Sequence, residues 1–478
     1  MKRVLAAIVL LAVAGAAAYG YDASRRERDY RRLIDQGEAA LGRDDTAGAG
    51  EAFRRAIDLK PTSMLGHLKR GETYRRRGDL EAALLELRRA TELDPLAPRP
   101  LEQLGDVDYA MGRLRQGDAV QANGRFKRSA ERYQAYVRLD DRSPRVLYKL
   151  GLAHQAAGQP AAGIEALRKA VAFDDRFPEA HYLLGVCLRD LNKLTEALDA
   201  FERSRALAPA MIATREALAA LYGQLGRGRD RVDELHALQA LDPAAFRAVA
   251  LGLAYHQAGD TNRAVLVLSD AADRYPDHAY TYVALGRVWL ESAQASGDRV
   301  FLGKALEALD GAVGSEDGSE ALTLFGRALM MAGDDELAER MLQQATEKFP
   351  VDPLAFFYYA DVTERRANPD AARRALLDYQ ALAGESFDSR RRGVIAVRVA
   401  DLSMQASDTT AAVAWFQRAV AGNAADAPVL VRMAEAQARA GDRDGALATL
   451  ARALEKDPAN RAAVILQRRL HLQEEPEE

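Results

Sequence analysis

The sequence predicts an all-α fold, a solenoid of about twelve helix hairpins, on three observations. Small residues recur with a period of thirty-four, and a second small residue and a proline recur in step with them. The chain is rich in Ala, Leu, Arg and Glu, and runs with the alternation of a strand are few. At 478 residues a single core would be unusual, whereas stacked hairpins that touch only their neighbours escape that limit.

The stretch Glu179–Pro209 shows the unit most plainly. Its apolar positions give one amphipathic helix from Glu179 to about Leu191 and another from Leu194 to about Leu207, with a polar turn at Asn192–Lys193. Gly185 and Ala197 are small where the helices approach, Phe201 fills the space between them, and Pro209 cannot continue the second helix. Counterparts of Gly185 stand at Gly37, Gly71, Gly105, Gly151, Ala219, Gly252, Gly286, Gly326, Ala360, Ala400 and Ala434, and we call these twelve positions anchors. Most successive anchors are 33 or 34 residues apart, and three intervals, after Gly105, Gly286 and Ala360, are longer. Alanines such as Ala49, Ala83, Ala264 and Ala338 follow their anchors by twelve residues, and prolines such as Pro61, Pro95, Pro243 and Pro350 by twenty-four. This pattern resembles the tetratricopeptide repeat family. The resemblance covers about residues 29–460 and implies a right-handed superhelix whose first helices line a concave, partner-binding side.

Taken in order, the chain opens with Lys2 and Arg3 and then an uncharged run, Val4–Tyr21. As a helix its eighteen residues would span about 27 Å, close to a bilayer core of about 30 Å. Residues 1–28 are therefore expected to be a single-pass membrane anchor, with a cleaved signal peptide ending near Ala16-Ala17-Ala18 as the alternative. Lys2 and Arg3 favour repeats outside the cytoplasm, while Arg25, Arg26, Arg28, Arg31 and Arg32 favour the opposite topology. The repeats are expected over 29–460, and residues 461–478 are expected to form a capping helix, about Ala459–Gln473 with its polar face outward, and an acidic tail, Glu474–Glu478. The long third interval predicts a basic loop around Arg113 to Lys127. The eighth repeat is interrupted near Ser292–Phe301, and the connection Ala383–Arg392 carries Arg390, Arg391 and Arg392; each is either a bend or an exposed contact loop.

Catalytic, cofactor and metal sites are not expected. The seven histidines are scattered, and the lone Cys187 falls within a first helix, where a small buried apolar residue is the simplest reading. A phosphate-loop likeness at Gly297–Ala305 has the wrong spacing and reads as a helix-connecting turn; paired acids such as Asp44-Asp45, Asp140-Asp141 and Asp334-Asp335 fall in turns or near helix ends. With 66 basic against 70 acidic residues, nothing in the net charge of −4 points to nucleic acid. What remains is the concave face. The repeat register places there Arg99, Tyr109, Arg145, Tyr148, Tyr182, Arg189, Phe246, His256, Tyr280, Arg287, Arg327, Met330 and Phe357, a mixture of aromatic and arginine side chains suited to a protein or peptide segment. The competing reading is that several of these aromatics only pack against the next hairpin. Acids near them, Glu102, Asp106, Glu179 and Glu216, are the weak case for a glycan site or an enzyme. The expected function is a non-enzymatic scaffold, tethered or exported, that assists a bacterial envelope machine, with a cytoplasm-facing inner-membrane adaptor as the alternative.

Overall fold

Helix ends in this chain are set by a short recurring turn, and helix contacts by the small anchors. The computed structural model describes residues 2–115, 117–315 and 318–472. The chain divides into two units, Met1–Glu234 and Leu235–Glu478, with the boundary inside one helix. The first unit holds α1 (Lys2–Gly42), α2 (Thr46–Leu59), α3 (Met64–Arg76), α4 (Leu80–Leu93), α5 (Pro98–Leu114), α6 (Ala119–Leu139), α7 (Pro144–Ala156), α8 (Pro160–Phe173), α9 (Pro178–Asp190), α10 (Leu194–Leu207), α11 (Ile212–Gln224) and the start of α12 (Gly228–Leu241). The second unit continues with α13 (Ala245–Gln257), α14 (Thr261–Arg274), α15 (Ala279–Ser296), α16 (Arg299–Ser315), α17 (Ser319–Ala332), α18 (Asp335–Glu347), α19 (Pro353–Arg365) and α20 (Pro369–Ala383). It closes with α21 (Ser389–Gln405), α22 (Thr409–Ala421), α23 (Ala427–Arg439), α24 (Arg443–Lys456) and α25 (Arg461–Leu472). Within each unit odd and even helices pair as hairpins and each hairpin packs on the next, an α-solenoid.

Turns inside ten hairpins share one chemistry. Seven residues after the anchor stands a residue with φ near +60° to +90°, such as Asn192 (φ 57°) or Gly333 (φ 89°), which ends the first helix in the left-handed region. The next residue caps the second helix in many of them; Asp45 accepts the Gly48 N–H at 2.8 Å and Asp334 the Leu337 N–H at 3.0 Å. Asp44 and Asp45 are thus the turn and cap residues of one hairpin and Asp334 the cap of another, whereas Asp140 follows the end of α6 and Asp335 begins α18.

Each glycine anchor is a point of close approach. A Cβ on Gly37, Gly105 or Gly185 would lie 2.4, 2.5 or 2.6 Å from the ring of Phe53, Tyr133 or Phe201. Phe53 and Phe201 are fully buried, each worth about 1.5–3 kcal/mol of transfer free energy. Cys187 is fully buried in the same core as Phe201, and burial pushes its thiol up to about 12.

The basic loop is corrected, and of the two alternatives for the other long connections the exposed loop is corrected. Residues Arg113 to Lys127 are mostly helical, not a loop: α5 and α6 lengthen to 17 and 21 residues, against 13 and 14 in α9 and α10, so that α5 runs on to Leu114 and α6 starts at Ala119. The reason is that Gly112, seven after its anchor, stays helical and lets Phe126 pack against it, while the buried pair Arg125–Asp108 (2.9 Å) ties the extension together. The interruption at Ser292–Phe301 is likewise a lengthened hairpin: α15 runs on to Ser296, Gly297 (φ 71°) ends it, and α16 starts at Arg299, so only the first residues of Gly297–Ala305 form a turn. Trp289 stacks on Phe301 at 5.2 Å, with the Lys304 ammonium over its ring. The segment Ala383–Arg392 is no free loop, since Phe387 is buried against Tyr379 and Arg391 donates to the Tyr379 hydroxyl at 2.9 Å.

α25 covers the last hairpin through Ala463 and Leu470. Gln473 and the tail Glu474–Glu478 lie outside the described residues. At the other end α1 is one helix from Lys2 to Gly42. Most side chains of the expected anchor Val4–Tyr21 lie outside the described residues, and among the described residues no helix is long and apolar enough to cross a membrane.

Candidate partner-binding face

Neighbouring first helices near each end of the array, α1–α3, α5–α7, α19–α21 and α21–α23, are joined by ion pairs in one register. Lys69 meets Glu38 at 2.5 Å, Lys149 meets Asp106 at 2.7 Å, Arg398 meets Asp361 at 2.5 Å and Arg432 meets Asp401 at 2.5 Å. In each pair the base stands two residues before one anchor and the acid one residue after the preceding anchor. Sequence reasoning missed this ladder. Its signal, opposite charges at two fixed offsets, becomes visible once the anchors are aligned.

In the first unit α3, α5 and α7 enclose a cleft of about 590 Å³. Arg99 and Arg145, both expected from the register, lie on it, with side chains 57% and 69% exposed. Beneath them Glu102 is buried and accepts from Arg145 and Lys149, each at 2.7 Å. Asp106 accepts from Lys149 at 2.7 Å and from the Tyr133 hydroxyl at 2.6 Å. These two acids are therefore engaged by bases of their own chain. Arg75 donates to Gln103 at 3.0 Å on the same wall. Arg75, Gln103 and Lys149 belong to the cleft and were not read from the sequence.

The expected aromatics of this unit are half-buried. Tyr109 stacks on Phe126 at 5.3 Å, Tyr148 on Phe177 at 5.0 Å and Tyr182 on Phe201 at 5.8 Å. Burial pushes the Tyr109 and Tyr148 hydroxyls above the usual tyrosine range, and the nearby Glu179 carboxylate adds to the rise at Tyr148. Tyr109 and Tyr182 therefore pack within their own hairpins, and Tyr148 packs against the next one. Arg189 bonds the neighbouring Asp190, at 3.2 Å.

In the second unit the expected residues separate by environment. Phe246 is 59% exposed, with the Arg247 guanidinium over its ring. His256 is held between Glu291 (2.9 Å) and Thr261 (3.2 Å). Arg287 pairs with Glu320, and Arg327 bonds Gln294 at 3.0 Å while lying over the Tyr358 ring. Tyr280 packs against the core, and Phe357 stacks on Tyr358 and Tyr379. Met330 is a correction to the face: it is buried among the core side chains of its own helix layer, because the turn of α17 carries it inward beside Leu329. Among the described residues no cluster of three His, Cys, Asp or Glu side chains could hold a metal ion.

The hairpin pattern agrees with the tetratricopeptide repeat profiles, which match residues 34–98, 114–175, 148–212 and 323–386, then 403–470 and 249–278, together well over half of the chain. The chain is a tetratricopeptide repeat protein. A curated relative, the small glutamine-rich tetratricopeptide repeat-containing protein 2 of Mycosarcoma maydis, is 29% identical over 122 residues, 26% of this repeat protein and 31% of the relative. The alignment thus spans about a third of that relative's length. Among solved structures, YrrB, described as a TPR protein with an unusual peptide-binding site, is 22% identical with a TM-score of 0.36 over 42% of this chain and 97% of its own. PilF of Pseudomonas aeruginosa is 18% identical with a TM-score of 0.38 over 46% and 96%. Tetratricopeptide repeat proteins are non-catalytic scaffolds for protein–protein interaction, and this chain is one of them.

Proposed function

We propose that this tetratricopeptide repeat protein is a membrane-tethered or exported scaffold that holds an extended segment of a partner protein on its first-helix face and assists assembly of a bacterial envelope machine, such as a secretion, pilus or polysaccharide-export system. The observation that carries the binding part is the exposure of the Arg99 and Arg145 guanidiniums on a cleft built from three successive first helices. Exposed arginines are among the side chains that dominate protein interfaces. Tethering or export rests on the uncharged run Val4–Tyr21 after Lys2 and Arg3. The choice of an envelope machine rests on joining such a run to a binding array.

A second reading, a cytoplasm-facing adaptor at the inner membrane, is favoured by the arginines that follow the run, from Arg25 to Arg32. The two readings are separated by topology. A cysteine placed within residues 474–478 of a Cys187→Ser variant is treated with a membrane-impermeant maleimide in cells whose outer membrane alone is permeable. Labelling supports the exported array; protection until the inner membrane is lysed supports the adaptor.

A further inference from the structure

We infer that the cleft between α3, α5 and α7 takes an acidic peptide segment in extended form, with carboxylates on Arg99 and Arg145. The inference rests on the first-helix face being the binding face, and it names the chemistry of the partner. Apart from Pro98 the lining is polar, so an apolar side chain seated there would strip water from charged groups and return nothing.

The sign of the partner follows from which charges reach solvent. The acids lie low: the Glu102, Glu72 and Asp106 side chains are only 6%, 12% and 18% exposed. Glu102 and Asp106 are already neutralised by Lys149 and Arg145, as described. The bases stand above them. Arg145 spends one N–H on Glu102, and Arg99 makes no hydrogen bond among the described residues, only a 3.7 Å ion pair with Glu72. An approaching chain therefore meets two guanidiniums with donors to spare, and the guanidinium fork matches a carboxylate in two parallel hydrogen bonds.

The Glu72 carboxylate beside Arg99 does not consume its donors: Glu72 Oε2 is buried and stands 3.7 Å from the guanidinium, beyond hydrogen-bond reach. Two guanidiniums with free donors on a cleft that spans three successive first helices suit a peptide lying across them with its carboxylates on the arginines.

The test probes the full chain against an array of random twelve-residue peptides. Enrichment of Asp and Glu is expected, with binding that weakens steeply as salt rises and at least tenfold in an Arg99→Ala/Arg145→Ala variant. Arg99→Lys/Arg145→Lys should retain part of the affinity, and Arg168→Ala, on the exposed side of α8, should retain all of it. Both target arginines are exposed, so their loss leaves the core intact. Enrichment of apolar or basic peptides, or of acidic peptides that bind the double variant equally well, overturns the inference while leaving the binding face standing. Enrichment of no peptide of any composition overturns both.

Discussion

Gly185 shows how much of this fold depends on the absence of one carbon. The Phe201 ring lies where a side chain at position 185 would begin, 2.6 Å from a Cβ, and Phe201 is fully buried and cannot retreat. Gly185→Leu should lower stability by about 1–3 kcal/mol through overpacking, read as a lower urea midpoint. An unchanged midpoint would mean that the two helices do not meet there. Two residues on, burial holds the Cys187 thiol up to about 12, above the 9.0 of a free thiol. It should stay protonated and unreactive toward a thiol reagent at pH 8 and react once the chain is unfolded. The sign for stability follows: because the folded thiol holds its proton more tightly, its contribution is full below about pH 9 and is lost as the pH rises toward 12. Gly185 was legible in the sequence because close packing repeats. The ion-pair ladder was not, because a charge that bridges two helices and a charge facing only water are the same letter until the register is known.

At the scale of the helix, the backbone conformation seven residues after the anchor marks whether a hairpin is standard or long. At Gly78, Asn192 and Gly441, where φ is positive, the first helix stops; at Gly112 the helix continues and α5 and α6 grow. The insertion was legible as a longer interval, but its conformation was not. Its basic residues suggested a solvated loop, whereas Arg125 is buried on Asp108 and Phe126 on Gly112. Removing one partner of that pair leaves a buried charge behind, at a cost of about 3–5 kcal/mol. Asp108→Ala should therefore speed amide exchange across α5 and α6 by two or more orders of magnitude, whereas neutral exchange there would return the segment to the status of a loop.

At the scale of the whole molecule, the consequence of repetition is that each unit builds its first-helix face from one local rule, with stability coming from each hairpin and its neighbours. The family and the face were legible in the sequence from residue spacing. The occupants of the face were read less well, since register positions expected on one face hold a solvent-facing arginine at Arg145, a packed ring at Tyr182 and a buried thioether at Met330. Only three-dimensional contacts separate those cases. The central claim, that partners bind along the first helices, is tested most directly by photocrosslinking in the native cell. A benzophenone amino acid is placed at Arg99, Arg145 or Phe246, on first helices, and at Arg168 or Arg203, which are exposed on second helices. The expected result is a discrete crosslinked species from first-helix positions and none from second-helix positions. Crosslinks confined to Arg168 and Arg203 would place the partner on the opposite side of the hairpins and contradict the claim.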